Sequence, residues 1–216
     1  MPYNSLKILY GLDNTTKVTV IPTSSNTSRA KVSPSNFTFD NSTWNTAQTF
    51  TVIGVDDFID NIGDNETYSI SFSITSSANV WNTLSLDNKT LTGNNTDNDT
   101  ASILIDNSLT RNVSEFENVQ YIYVKLSTIP TSTVYLGISS DDTTEGTVSP
   151  DNLSISPSNW NSNNTVTVSG INDNESDGTV TFNINFANST SDDSKYNNLT
   201  PNKTSVQMKN IDDGND

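Results

Sequence analysis

The sequence contains one unit twice. The segment NSTWNTAQTFTVIGVDD around Trp44 returns as SPSNWNSNNTVTVSGIND around Trp160, and Gly54 falls on Gly170 at the same offset. A period of about one hundred residues is far longer than the roughly 20 to 50 residues of a solenoid repeat. Each copy is therefore predicted to be a domain with its own core. We assign residues 1–99 to the first repeat and residues 100–216 to the second.

Apolar and polar residues alternate over short stretches in both copies, which is the pattern of half-buried β-strands. No segment shows convincing helical periodicity. The second copy contains seven predicted strands, at 101–105, 119–126, 133–138, 153–155, 165–171, 180–186 and 204–211. The first contains six, at 6–9, 17–21, 37–39, 49–55, 67–74 and 89–91. Short strands separated by Asn, Ser, Asp and Pro predict an all-β chain of two tandem immunoglobulin-like β-sandwich domains.

The two copies are unequal at their beginnings. After a gap, Tyr68–Phe72 aligns with Val180–Ile184, but nothing in the first copy matches Ala101–Glu117. The first domain is thus expected to lack its opening strand. Two explanations stand: the chain is cut from a longer array, or a neighbouring subunit donates the strand to an open sheet edge and so builds a filament.

Composition excludes several classes of function. The chain carries 25 acidic and 10 basic residues, a formal charge of −15, so nucleic acid and anionic membranes are not expected as partners. It has no cysteine and no histidine, which excludes thiol and imidazole chemistry and leaves oxygen ligands for any metal. No run of about 18 apolar residues predicts membrane insertion, and the start has no apolar signal-like region. A soluble segment is expected.

Asparagine followed two residues later by serine or threonine is frequent, as at Asn14, Asn88 and Asn188. These sequons indicate either a glycosylated surface protein or only the bias of an Asn-, Ser- and Thr-rich chain.

Acidic residues gather where the repeat places turns. They stand in the loop after the strand at 49–55, in the loops around 141 and 175, and at the end of each copy. Carboxylates crowded at one end of a sandwich repel one another unless a cation neutralises them, and Ca²⁺ takes about six to eight oxygen ligands. The alternative is that they are solvated turn residues, since Asp favours turns for local reasons. An EF-hand is rejected, because Ile184 stands where the loop starting at Asp173 needs its final Glu.

The copy ends TDND and IDDGND, the strand exits GVDD and GIND, the loop SSDDTTEGTVSP and the VSE around Glu115 together resemble Calx-beta repeats of bacterial and archaeal surface proteins. The resemblance covers nearly all the chain and implies calcium bound at one end of each sandwich. Carried over by position, it implies as ligands in the second copy Glu115, Asp141 or Asp142, Asp173, Asp177, Asp212 and Asp213. In the first copy it implies Asp56, Asp57, Asp60, Asp97 and Asp99. The first copy lacks the early Glu and carries SSNTSR in place of the acidic loop, so its site is expected to be weaker or completed by something else.

Catalysis is not expected, because the carboxylates cluster in turns with no substrate groove apparent, and no Ser motif has an activating base beside it. Trp44 and Trp160 are interpreted as structural anchors of each copy, with a carbohydrate-binding platform as the alternative.

These observations predict a non-enzymatic, extracellular cell-surface module of an adhesin, S-layer or filament protein, in which Ca²⁺ stiffens the tandem repeats near Asp97 and Asp99. Its expected partners are neighbouring repeats or subunits of the same surface protein, and possible glycans. The alternatives are a glycan- or receptor-binding module and a subunit that polymerises by strand donation.

Overall fold

The protein consists of two compact units that follow the two repeats. The computed structural model describes residues 4–8, 11–61, 63, 65–83, 89–106, 111–116, 118–172, 175–212 and 214. The first unit comprises Met1–Asp57 and Asn61–Asn98, and the second comprises Phe58–Asp60 and Asp99–Asp216. The short segment Phe58–Asp60 therefore belongs to the second unit, although it lies within the first repeat in sequence.

The first unit is built from seven strands and one turn of helix in its described part. In chain order these are β1 (Asn4–Leu6), β2 (Val18–Ser24), β3 (Ala30–Ser33), β4 (Phe37–Phe39), β5 (Gln48–Gly54), β6 (Asn65–Ser76), α1 (Asn79–Asn82) and β7 (Leu91–Thr96). One sheet has the order β1-β5-β3 and the other β4-β2-β6-β7. All the pairs are antiparallel.

The second unit has nine strands in its described part. They are β8 (Ile103–Asp106), β9 (Asn112–Ser114), β10 (Val119–Leu126), β11 (Val134–Ser140), β12 (Gly146–Ser149), β13 (Asn152–Ile155), β14 (Asn164–Gly170), β15 (Thr179–Phe186) and β16 (Ser205–Ile211). The sheets have the orders β12-β14-β10-β8 and β13-β11-β15-β16-β9, and β9 runs parallel to β16. The predicted all-β fold of two β-sandwiches is confirmed.

Comparison of the two sheet orders shows that β1–β7 correspond to β10–β16. The second unit then has β8 and β9 in addition, one at an edge of each sheet. Neither has a counterpart among the described residues of the first unit, as expected from the missing match to 101–117.

The strand register corrects one part of the sequence alignment. Pro22 pairs with Phe72 in the first unit, and Ile138, which occupies the position of Pro22, pairs with Phe186 in the second. Phe72 therefore corresponds to Phe186 and not to Ile184, and the alignment of Tyr68–Phe72 with Val180–Ile184 was wrong by two residues. A shift of two keeps the same side chains facing the core, so hydrophobic alternation alone could not detect it.

Three short strands, β3, β9 and β12, were missed by the sequence analysis. Each has three or four residues, of which one is buried, too few to show alternation. The last strand of the first copy was predicted at 89–91 but runs from Leu91 to Thr96. Its sequence LTGNNT is almost entirely polar, and its ladder with β6 rather than its composition makes it a strand.

Each unit has its own core. In the first, aromatic rings meet edge-on between the sheets, with centroids of Phe37 and Phe50 at 5.8 Å and of Phe50 and Phe72 at 5.6 Å. In the second, alternate residues of β14 and β16 are buried, in keeping with half-buried strands. Trp44 and Trp160 each pack against the core of their own unit. This is the contact expected of structural anchors.

Within the described residues, no helix is long and apolar enough to cross a membrane.

Candidate functional site

Four strands of the second unit begin or finish at the same end of the sandwich. Gly146, the first residue of β12, pairs with Gly170, the last residue of β14. Ser114 at the end of β9 pairs with Ile211 at the end of β16. The residues that follow or precede these ends, Glu115 and Glu145, are therefore delivered to the same end of the unit, together with Asn210 of β16. We call these three residues the Glu145 cluster.

Both carboxylates of the Glu145 cluster are buried, although Glu is almost never buried without compensation. Glu115 is 4% exposed and Glu145 is 5% exposed. The backbone amide of Glu115 donates to Ile211 O (3.1 Å), and the carbonyl of Glu145 accepts from Ile171 N (3.1 Å). These two hydrogen bonds fix the backbone at both glutamates. A buried carboxylate is costly unless a cation or hydrogen-bond donors compensate its charge.

Asn210 lies beside the carboxylate of Glu145 and is 1% exposed. Its Nδ2 donates to Ile171 O (2.8 Å) and to Glu145 Oε2 (3.3 Å). Its Oδ1 is buried and has no hydrogen-bond partner within the described part of the chain. A buried amide oxygen beside a buried carboxylate is the kind of donor that a hard cation such as Ca²⁺ selects. The residues of the Glu145 cluster therefore fit a cation.

Gly170 allows β9 and Asn210 to lie close to the end of β14. A Cβ built on Gly170 would lie 2.4 Å from Ser114 O and 2.9 Å from Asn210 Oδ1. Both distances are shorter than real Cβ contacts, so any side chain here would displace β9 or Asn210. The glycine is needed for space and not for backbone freedom.

The first unit repeats the hydrogen bonds that surround Glu145, but an arginine stands in place of the glutamate. The carbonyl of Arg29 accepts from Val55 N (3.0 Å), as that of Glu145 accepts from Ile171 N. Asn95 Nδ2 donates to Val55 O (2.7 Å), as Asn210 donates to Ile171 O. Arg29 therefore occupies in the first unit the position that Glu145 occupies in the second.

Arg29 is surrounded by oxygen acceptors. Its guanidinium forms ion pairs with Asp57 and Glu66, and its Nη2 donates to Asn61 Oδ1 (3.2 Å). The Arg29 side chain is only 14% exposed. These four residues form what we call the Arg29 cluster, in which the positive charge is part of the chain.

The structure distributes the five first-copy acids predicted as ligands among different roles. Asp56 is exposed, and Asp57 belongs to the Arg29 cluster. Asp60 lies in the second unit, where it pairs with Lys195 and accepts from Ala101 N (2.8 Å). Asp97 Oδ2 accepts from Asn61 N (2.6 Å), and Asp99 is half-buried.

Of the second-copy acids, several order turns. Asp141 accepts from the backbone and side-chain amides of Asn183 (2.6 and 2.8 Å), and these two bonds lower the pKa of its carboxyl below its usual value. Asp142 Oδ1 accepts from Thr144 N (3.1 Å).

The remaining second-copy acids lie around the β14–β15 loop. Asp212 Oδ2 accepts from Gly178 N (3.2 Å), and Asp177 is exposed. Asp173 and Asp213 lie outside the described residues.

Among the residues that the structure describes, no three acidic side chains come together as a metal-binding group. Glu115 is the predicted ligand that lies in the Glu145 cluster. Glu145 and Asn210 were not among the predicted ligands. A signal for Glu145 was available, because the repeat places it over Arg29, a reversal of charge at a fixed position.

No protein-family model matches the chain, and no curated protein matches it. Among solved structures, it is similar to domains 4 and 5 of the S-layer protein SbsC, at 13% identity and a TM-score of 0.34, over 89% of this chain and 70% of that one. Two longer structures of SbsC, of residues 31–844 and of domains 1–6, match at 15% identity with TM-scores of 0.31 and 0.32. This chain spans 20% of their length.

Proposed function

We propose that this chain is a structural module of an extracellular surface protein, an adhesin, S-layer or filament protein, and that its second unit binds one calcium ion at the Glu145 cluster. The observation that carries the proposal is the Oδ1 of Asn210, a buried oxygen with no hydrogen-bond partner in the described part of the chain, on a side chain whose Nδ2 donates to the buried Glu145. Glu115, Glu145 and Asn210 would supply oxygen ligands, and calcium would add positive charge beside these buried glutamates.

The proposed role of calcium is mechanical. The cluster joins the ends of β9, β12, β14 and β16, which belong to both sheets of the sandwich. A cation held there would tie the two sheets together and resist their separation. The stiffening of the tandem near Asp97 and Asp99, and calcium ligation by the other predicted acids, stay predictions of the sequence. No catalytic step is part of this proposal.

The test is a calorimetric calcium titration of the whole chain, combined with thermal unfolding in calcium and in chelator. At free calcium of about 100 times Kd, one site stabilises the folded unit by about 2.7 kcal/mol. For a unit of this size that is a rise in Tm of about 10 °C, at roughly 4 °C per kcal/mol. Glu145→Gln removes one carboxylate with little change of shape and should abolish most of the rise.

Asp192→Asn provides the charge-matched control. Asp192 is exposed in the same unit and lies outside the Glu145 cluster, so its variant should bind calcium like the unmodified chain. Absence of calorimetric heat together with an unchanged Tm in chelator would refute calcium binding. Equal loss of binding in both variants would show a diffuse charge effect instead of a site.

One observation favours strand donation as a second candidate function. In the second unit β8 covers the outer edge of β10, whereas β1, the counterpart of β10, is an edge strand among the described residues of the first unit. Exposed strand edges are templates for pairing with another chain.

A further inference from the structure

We propose that the second unit binds a neutral oligosaccharide in a polar cleft beside Tyr135, at a site separate from the Glu145 cluster. The cleft lies between the turn that precedes β11 and the loop that joins β15 to β16, and its volume is about 830 Å³. That volume falls within the roughly 300–1,000 Å³ of small-ligand sites. All the residues that line it belong to the second unit, and we call it the Tyr135 cleft.

The lining of the Tyr135 cleft has the composition that a sugar requires. Tyr135 is its aromatic residue and Pro157 its aliphatic one, and the remaining lining residues carry hydroxyl, amide or carboxylate groups. A sugar ring presents C–H groups on its faces and hydroxyls around its rim. An aromatic face packs against the C–H groups, while polar side chains such as Ser132, Thr190 and Asn197 bond the hydroxyls.

The fold does not require a tyrosine at position 135. Tyr135 pairs with Ser154 on β13, and the matching pair in the first unit is Thr19 with Thr38, whose hydroxyl oxygens lie 3.1 Å apart. The first sandwich thus forms with threonine at this place. Tyr135 is 44% exposed, so its side chain is accessible to a ligand.

Hydrogen bonds hold the two walls of the Tyr135 cleft together before a ligand binds. The buried carboxylate of Asp193, in the loop before β16, accepts from Thr131 N (2.7 Å) in the turn before β11. Ser191 Oγ donates to Thr133 O (3.0 Å) and joins the same two segments again. A site whose residues are already fixed loses less conformational entropy on binding.

The backbone at Tyr135 is already paired on both sides, which disfavours an extended peptide as the ligand. The amide of Tyr135 donates to Thr190 O and its carbonyl accepts from Thr190 N, both at 2.9 Å, and β13 lies on the other side of β11. Peptide binding by strand addition needs a free edge, so it does not fit here. Recognition in the cleft must therefore pass through side chains.

The charge of the Tyr135 cleft selects against anions. None of its described lining residues is basic, and Asp192 contributes an exposed carboxylate. The whole chain also carries a formal charge of −15. Phosphorylated, sulfated or acidic sugars would be repelled, which leaves a neutral oligosaccharide as the class that fits.

The experiment titrates the whole chain, produced without glycosylation and kept in calcium, with neutral hexasaccharides of glucose, of mannose and of N-acetylglucosamine. Nuclear magnetic resonance gives both the affinity and the amides that shift. We expect at least one of these saccharides to bind with a Kd of about 1 mM or below, and to shift amides in the turn and the loop that form the cleft. A sulfated hexasaccharide should not bind there.

Substitutions test which side chains carry the binding. Tyr135→Thr introduces the residue of the first unit and should weaken binding about tenfold or more, because the aromatic surface is lost. Tyr135→Phe keeps the ring and should stay within about threefold of the unmodified chain. Asn197→Ala should weaken binding about two- to tenfold. Tyr121→Thr is the matched control, since Tyr121 is 43% exposed on the other sheet of the same unit, and it should leave the affinity unchanged.

The outcomes separate this inference from the proposed calcium function. The inference is overturned if none of the neutral hexasaccharides shifts the amides of the cleft, if the sulfated one binds there equally well, or if Tyr121→Thr weakens binding as much as Tyr135→Thr. Saccharide binding by a chain that shows no calcium heat would refute the calcium site alone.

Discussion

Replacement of Gly170 by alanine tests whether the close approach of β9 builds the Glu145 cluster. The new Cβ would lie 2.4 Å from Ser114 O, a backbone atom, and 2.9 Å from Asn210 Oδ1. A backbone atom cannot escape by changing its rotamer, so β9 must move. Overpacking of this kind costs about 1–3 kcal/mol, and the smaller entropy of the unfolded chain returns only about 0.4–1 kcal/mol.

At the middle of these ranges the net loss from Gly170→Ala is about 1.3 kcal/mol, a fall in Tm of about 5 °C at roughly 4 °C per kcal/mol. Because Glu115 follows Ser114 directly, a shift of β9 should also weaken calcium binding. The assay is urea and thermal unfolding by circular dichroism, with calorimetry for calcium.

Gly54→Ala is the matched control, since Gly54 occupies the same place in the first unit. Its Cβ would meet Asn95 Oδ1 at 2.6 Å, a side-chain atom, with no backbone atom of another strand within 4 Å. We expect a loss below about 1 kcal/mol, because a side chain relaxes more easily than a strand. Equal losses for the two variants, or an unchanged calcium affinity in Gly170→Ala, would refute the claim that the glycine makes room for β9.

The remaining predictions concern acid stability and the open edge of β1. Hydrogen bonds, chiefly from the Ser42 hydroxyl, lower the pKa of Asp40 from 3.8 to about 2, so the stability that this group contributes above pH 3.8 is lost as the pH falls toward 2. Asp40→Asn should therefore show a shallower acid loss of first-unit hydrogen-exchange protection, and an unchanged pH profile would contradict this cause. For strand donation, a peptide of residues 101–116 should bind the chain and protect the amides of β1 from exchange; a chain that neither binds the peptide nor self-associates at high concentration would exclude the mechanism.

The repeat predicted the fold well because it reports on tertiary structure. Residues at a constant offset, such as Gly54 and Gly170, occupy equivalent places because the same backbone contacts form around them. Strands with alternating burial, such as β14 and β16, were visible for the same reason. The bounds of β7 were not, because its ladder with β6 rather than its side chains specifies where it runs.

The candidate site was harder to predict, because a high density of acidic residues in a loop does not show where the site lies. Asp141 and Asp142 lie in an acidic loop of the second copy, yet Asp141 accepts from the amides of Asn183 and Asp142 from the backbone amide of Thr144. Glu145 lies three residues later and is buried. The sequence shows which residues are charged. Burial decides whether a charge needs a partner, and the burial of Glu145 depends on how β12 and β14 pair.

The reversal of charge between positions 29 and 145 has a consequence for how a tandem array responds to its surroundings. A guanidinium in the chain is present at fixed stoichiometry, so the first unit gains its neutralising charge at any calcium concentration. A bound ion stabilises its unit by an amount that grows with the logarithm of its concentration above Kd. Where both kinds of unit occur in one chain, removal of calcium should loosen the second kind and leave the first folded. Unfolding in chelator should then separate into two transitions, whereas in calcium the two should approach one another; a single transition that shifts as a whole would show that both units share one dependence on calcium.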